Sequence, residues 1–469
     1  MILHLVAALL ASLVFGSAIV WLLCPRTGMR VADVLLVLSL GIGSGLGISS
    51  ILLFLWLAAA KGNGSREPLA VIVLAILLVG AAVARGRLGR RSVARAAAPP
   101  HSMRWLTVAF LLAALAALVV FVLLSLCSPH GGWDAWSDWN RHARFMFRGG
   151  AHWKDVFSPM EAGWTLDYPI LTPGAIAHCW FFAGKETLLA PAAVAFMFAL
   201  SILGLLMSSL FVLRGRSQGL IAGIILLCSP QFIAQASSQY ADIPLASFYL
   251  GAILLLCLHD AVGNHPGWLV MAGVMAGLAA WTKNEGLQFA LVLVVVRCLV
   301  VSASRGVKAW VHELPPFAVG LLPPIAFVLY FKFRMVGATN ELVTGQTAHT
   351  ILRNLLTAGR YVTIAKWLAS EVRGFGGWVV MLTPLLLMYL LLAGINQERK
   401  DRLAICTGSI ALMLMGCGYI LVYLLTPFDL VWHLSTSLDR LLMQLWPSAL
   451  FTFFLLARTP EEAFRQGRE

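Results

Sequence analysis

Residues 105–127 read WLTVAFLLAALAALVVFVLLSLC, an apolar run without a single charge. About 20 such residues, rising 1.5 Å each in a helix, match the hydrocarbon thickness of a bilayer. The run does not alternate polar and apolar side chains, as a barrel strand must. It reads as a membrane-spanning helix. Comparable runs cover roughly 2–24, 32–60, 69–84, 187–213, 219–235, 243–258, 267–282, 285–303, 314–332, 376–394, 403–425 and 440–457. The expected fold is therefore an all-α polytopic membrane protein of about 13 transmembrane helices. The first run lacks the basic leader and small-residue cleavage pattern of a signal peptide and is kept as a helix.

Composition agrees. Of 469 residues, 60% are hydrophobic and 12% charged, about half the charge of a soluble domain. That excludes a soluble enzyme and a disordered chain. The formal net charge of +13 sits mainly at span ends, which suits anionic lipid headgroups and argues against nucleic acid. Five cysteines (Cys228, Cys257, Cys298, Cys406, Cys417) lie inside apolar runs and read as packing. Cys127 and Cys179 are the one pair that outward exposure would let bond. No HExxH, GxSxG or P-loop is present, which argues against zinc hydrolases, serine hydrolases and ATPases.

Segment 85–104 (RGRLGRRSVARAAAPPHSMR) holds six arginines and no acid, so it is expected to be cytoplasmic. Helix alternation then makes 214–218, 305–313, 395–402 and the C-terminal tail cytoplasmic. Segments 128–186 and 333–375, with the turns near Tyr240, Lys283 and Asp429, fall on the outer face. Thirteen of the 21 acids follow them there.

The outer segment 131–180 contains Trp133, Trp136, Trp139, Trp153, Trp164 and Trp180, six of the sixteen tryptophans. An aromatic belt on an interfacial helix explains some of them. It does not explain Asp134 and Asp138, four residues apart among the indoles, with Arg141 and Arg144 alongside. A carboxylate beside indole surface has a raised proton affinity and suits a general base, and indole faces stack on sugar rings. Three further patches lie on this face. Gln239–Pro244 offers Asp242 between two spans. Trp281–Gly286 places Lys283, Asn284 and Glu285 inside a long apolar run, where polar groups are costly unless they face a cavity or each other. Thr426–Arg440 opens the last span with Arg440 beside Ser435, Thr436 and Ser437, an arrangement suited to clamping an anion.

An acid in a Trp-rich outer loop, a DYP segment (Asp167–Pro169), a YADxP loop (Tyr240–Pro244), a TKxEG turn (Thr282–Gly286) and a late outer-face arginine occur here in order. The set resembles GT-C glycosyltransferases that use polyprenyl-phosphate sugars, of the protein mannosyltransferase and aminoarabinose transferase type. The resemblance covers about residues 105–457. It divides the chain into N-terminal helices (1–104), a GT-C-like catalytic core with interfacial helices in its outer loops (105–457) and a cytoplasmic tail (458–469). It implies that Asp134, or failing that Asp138, is the catalytic base. Asp242, with Asp167 and Glu285, would form a second acidic loop, and Lys283 and Arg440 would bind the donor phosphate. Trp133, Trp136, Trp139 and Tyr240 would stack on sugar or acceptor. The chain departs from the family in placing its acidic loop after the fourth span instead of the first, and it lacks the large C-terminal soluble domain of some relatives.

The expected activity is transfer of a sugar from a polyprenyl-phosphate donor to a lipid, glycan or protein acceptor hydroxyl, by one inverting displacement. An apolar groove for the lipid tail, a cation at the leaving phosphate and a carboxylate at the acceptor meet its chemical needs. No cofactor is required, and a divalent cation shared by Asp134, Asp138 and Asp242 is compatible with it. The expected location is the bacterial inner (plasma) membrane, with the site on the extracytoplasmic side. The rival reading is a lipid-linked sugar transporter or flippase, or another polytopic carrier. A carrier should place charge near the midplane and show two similar halves, and this sequence shows neither.

Overall fold

The structure, a computed structural model, describes residues 2–88, 104–158, 160, 166–337, 345–375, 381–396, 398 and 401–466. Most of the six-arginine segment (89–103), Trp164 and positions 376–380 of one apolar run lie outside the described residues. Among those described there is no strand, only an isolated bridge between Ile395 and Ala457.

Nine of the described helices are long and apolar enough to cross a bilayer. They include α1 (Ile2–Leu23), α2 (Arg30–Ala59), α3 (Glu67–Leu88) and α4 (Arg104–Cys127). After α5 (Asn140–Arg148) and α6 (Leu171–Ala183) comes the spanning α7 (Leu189–Leu213). A bent pair follows, α8 (Arg216–Leu227) and α9 (Pro230–Ser237). Further spanning helices are α10 (Asp242–Val262), α12 (Asn284–Arg305), α13 (Val307–Tyr330) and α17 (Arg402–Leu425), with α11 (Pro266–Thr282) between α10 and α12. Shorter α14 (Ala348–Leu356), α15 (Ala358–Gly374) and α16 (Leu382–Ala393) precede α17, and α18 (Leu430–Leu456) and α19 (Pro460–Gln466) follow it. The chain is an all-α polytopic integral membrane protein.

Four of the thirteen apolar runs differ from simple spans. The 219–235 run breaks before Pro230, which lacks the N–H a continuous helix needs, and its halves diverge by 65°. Pro266–Thr282 and Leu382–Ala393 have only 17 and 12 residues. Leu430–Leu456 has 27 residues, but Asp439, Arg440, Gln444 and Pro447 lower its apolarity, and it is not among the nine.

Without a hydrophobic force between helices in lipid, close approach depends on small residues. A Cβ on Gly16 would meet the Gly41 carbonyl at 2.1 Å, and one on Gly320 would meet that of Val270 at 1.9 Å. These contacts seat α1 on α2 and α13 on α11. α10 and α11 are apolar around nearly their whole circumference and buried along their length, as a central helix should be. Two of the three helices before residue 104, α1 and α2, share this same core, and α3 packs against α1.

The connections gather at two ends. At one, Gly132 N donates to the Ser238 carbonyl (3.0 Å), and 128–139, 238–242, 282–285, 332 and 440 converge. At the other, Arg214 meets Asp401 (3.2 Å) and Glu462 (2.8 Å), joining the connections that sequence alternation groups together. The segment 128–186 is less of a loop than expected. α6 sinks into the core with ten buried residues, and its His178 meets Glu67 at 2.8 Å and Ser12 at 3.2 Å. All eight cysteines are free; Cys127 is exposed and Cys179 buried, so the pairing considered for them does not form.

Candidate functional site

Asp242 is the fully buried first residue of α10. Lys283 Nζ donates to its Oδ1 (3.0 Å), Gln444 Nε2 donates to the same oxygen (2.5 Å) and Arg440 Nε donates to its Oδ2 (3.2 Å). A carboxylate buried without such partners would be prohibitively costly. Arg440 reaches further. Its Nη1 lies 2.7 Å from Asp134 Oδ2, and its guanidinium stacks 4.7 Å from the Tyr240 ring. Three segments distant in sequence thus meet through one arginine fork, and Lys283 brings in a fourth through Asp242.

Local sequence explains how each part is held. Gly131 and Gly132 let the chain pass under Gln239 and Tyr240, because a Cβ at Gly132 would strike the Tyr240 hydroxyl at 2.3 Å. Lys283 breaks the helical run between α11 and α12 with extended backbone (φ −153°, ψ 164°). Gly286 permits that turn, since a Cβ there would sit 1.8 Å from the Ala279 carbonyl oxygen. Lys283 then bridges Asp242 and Glu285, each at 3.0 Å. Burial alone would push its ammonium pKa down, but the Asp242 and Glu285 carboxylates outweigh this and hold it above the ordinary lysine value. Burial, reinforced by the Asp134 charge, raises the Tyr240 phenol, which stays protonated.

Two cavities share Asp134, Arg440, His433 and Ser437. The inner one, about 290 Å³, is also lined by Tyr168, Asp242, Lys283, Asn284, Glu285 and Tyr419. The outer one, about 740 Å³, is lined by Trp133, Asp138, Tyr240, Phe428 and Trp432 among others. Beside them Lys332 Nζ lies 3.0 Å from Asp167 Oδ2, and Asn284 Nδ2 donates to that oxygen (2.8 Å).

Every residue given a site role in the sequence lies at this end, but not always in the arrangement expected. Asp138 lines the outer cavity and pairs weakly with Arg141 (3.9 Å), apart from the Asp242 network. Asp167 belongs to the Lys332 cluster. Trp133 is 68% exposed but packs edge-on against Trp136 (centroids 4.6 Å apart), which borders a neighbouring groove. Trp139 is buried parallel to Tyr168 (centroids 5.8 Å apart), so it supports the cavity wall and offers no face to a ligand. The hydroxyls of Ser435, Thr436 and Ser437 donate to carbonyls of their own helix at 2.9, 2.9 and 2.6 Å, so they do not extend the Arg440 fork. A cation shared by Asp134, Asp138 and Asp242 does not fit, because both Asp242 oxygens are already taken by nitrogen donors. Among the described residues the only cluster spaced for a metal is His259, Asp260 and Glu313 at the opposite end. Arg297 and Arg305 hold both of its carboxylates.

The sequence reading missed Lys332, Gln444 and Tyr419. Each left a trace as a polar group within an apolar run, but Gln444 and Tyr419 declare their role only through the bond joining them (2.6 Å). No protein-family model, curated protein or solved structure matches the chain.

Proposed function

We propose that the chain is a membrane glycosyltransferase that moves a sugar from a polyprenyl-phosphate donor to an acceptor hydroxyl. The observation carrying this reading is Arg440, held between Asp134 and Asp242 where two polar cavities meet at one end of an apolar bundle. Arg440 and Lys283 are the cations for the leaving phosphate, whose developing charge they would stabilise. Asp134, shared by both cavities, takes the acceptor proton. The outer cavity, flanked by Trp133 and Trp432, receives the acceptor. Lipid-facing helices supply the surface for the polyprenyl tail.

On this reading the site end faces away from the cytoplasm, in a bacterial inner membrane, and the arginine-rich connections face inward. Counting the bent pair, the two short helices and Leu430–Leu456 as crossings would give thirteen spans of a GT-C-like bundle. A carrier is less well supported, since the charges collect at the two ends of the bundle and not at a midplane. The deciding experiment incubates purified protein with a polyprenyl-phosphate sugar and candidate acceptors. Release of polyprenyl phosphate that depends on acceptor supports the reading, and its absence across neutral and amino sugars overturns it.

A further inference from the structure

A second pair of cavities lies at the other end of the bundle. There the end of α1 meets the start of α11, since a Cβ on Gly267 would sit 1.8 Å from the Leu23 carbonyl oxygen. From that point α11 runs to Lys283. A cavity of about 620 Å³ opens at this end, lined by Trp21, Arg26, Arg30 and Asp33. It shares Trp21, Val37 and Leu38 with an almost wholly apolar groove of about 370 Å³, which Val79 and Val83 of α3 also line. Because α1 packs against both α2 and α3, the groove runs over α1 with the other two helices as its sides.

The mouth of this groove is charged and unbalanced. Asp33 Oδ1 accepts from the Thr27 amide (2.8 Å) and hydroxyl (2.6 Å), which holds the turn before α2. The Arg26 guanidinium lies over the Trp21 ring, 4.4 Å from its centroid. Among the described residues no ion pair or side-chain hydrogen bond engages Arg26 or Arg30. The connection after α3, 89–103, carries three arginines and no acid, so it brings no counter-charge. Two cations face one anion, and one further negative group would balance them. A phosphodiester suits the guanidinium fork, and the mouth has room for a glycerophosphate where a lone carboxylate would leave it largely unfilled.

We propose that α1, α2 and α3 form a binding site for an anionic glycerophospholipid. Its phosphate sits on Arg26 and Arg30, and one acyl chain lies in the groove. On the orientation proposed above the lipid comes from the cytoplasmic leaflet, where basic pockets between helices hold such headgroups. Its chain covers part of α3, whose most apolar stretch is only 17% buried by protein.

The test titrates the detergent-purified full chain with phosphatidylglycerol, read by native mass spectrometry, beside phosphatidylcholine with the same acyl chains. One phosphatidylglycerol should bind saturably and more tightly than phosphatidylcholine. Arg26→Gln combined with Arg30→Gln should weaken it about 30-fold, the usual contribution of two basic groups near an anionic lipid surface, and remove the preference. Val83→Trp fills the groove at an exposed position and leaves both arginines, so it should weaken both lipids. Arg104→Gln, at an exposed arginine outside the cavity, should change nothing. Equal affinity of wild type for the two lipids, or equal losses in the double variant and Arg104→Gln, would mean ordinary annular contact and overturn the site. Palmitate competing as well as the intact lipid would overturn the phosphate assignment. Water-soluble glycerophosphoglycerol doing so would overturn the role of the groove.

Discussion

Arg440 Nη1 lies 2.7 Å from Asp134 Oδ2. The side chain assigned to the donor phosphate is thus ion-paired to the one assigned to the acceptor proton. One guanidinium has five N–H groups in a planar fork, enough to serve Asp134, Asp242 and a phosphate oxygen together. A lysine could not span these groups in fixed geometry. This shared arginine makes the two halves of a displacement interdependent, and it shapes how substitutions should behave.

Asp134→Asn keeps the size of the side chain but removes its capacity to take a proton. Turnover of a polyprenyl-phosphate sugar should fall by about 10²–10⁴-fold, the usual value of a general base. Donor affinity should change little, because Arg440 keeps Asp242 as its second partner. Asp138→Asn, away from the Arg440 network, should have a milder effect in the same single-turnover assay. A reversed order of severity would transfer the base role to Asp138.

Gly286→Ala tests whether the Lys283 turn is built by backbone contact. The added methyl would collide with the Ala279 carbonyl oxygen, a rigid backbone atom, 1.8 Å away. The turn should open and carry Lys283 off Asp242, lowering both donor affinity and unfolding temperature. Gly359→Ala, where a Cβ meets nothing within 4 Å, is the matched control and should leave both unchanged.

The bundle and most of the site were legible because lipid makes polar residues conspicuous. Asp242, Lys283 and Arg440 stood out as charges at the ends of apolar runs, where only mutual pairing or a cavity justifies them. Which charge pairs with which was not legible, since that depends on how α10, α12 and α18 pack. Arg440 looked isolated in sequence and joins three other side chains of the site, Asp134, Tyr240 and Asp242. The burial of α6 was hidden for a related reason. LTPGAIAHCWFFA is too short to read as a span, and its His178 is affordable only because Glu67 arrives from α3.

Topology can be tested without activity. In a background lacking native cysteines, Cys substituted at the exposed positions His152 and Ser435 should react with an impermeant maleimide in intact cells. Cys at Ser304, exposed at the opposite end, should react only after permeabilisation. The structure joins the first two regions through Arg440 and Asp134, so labelling of only one of them would contradict the fold itself. Labelling confined to Ser304 would invert the proposed orientation.

His178→Ala should destabilise the protein without touching the site. It removes the partner of Glu67, whose carboxylate is 1% exposed and already has one oxygen without a hydrogen bond. An unsatisfied buried group of this kind costs about 1–3 kcal/mol. The cost should appear as a lower unfolding temperature in detergent and faster proteolysis near α3. Substituting Glu67 by Gln as well should recover part of the loss, because the uncompensated charge is then gone.

Arg440 must be separated into its structural and phosphate-binding parts. Truncation to Ala leaves Asp242 buried with Lys283 and Gln444 as remaining partners, so the loss of stability should fall toward the low end of the 3–5 kcal/mol typical of a broken buried pair. Arg440→Lys restores a charge but not the fork, and can reach Asp134 or Asp242 but not both in the same geometry. Lys should therefore regain most of the unfolding temperature yet only part of the affinity for polyprenyl phosphate, measured on folded protein in nanodiscs. The difference between the two recoveries isolates the phosphate contact. If Lys and Ala both bind polyprenyl phosphate as tightly as wild type, Arg440 serves only to neutralise Asp242, and the assignment of the donor phosphate to this end of the cavity fails.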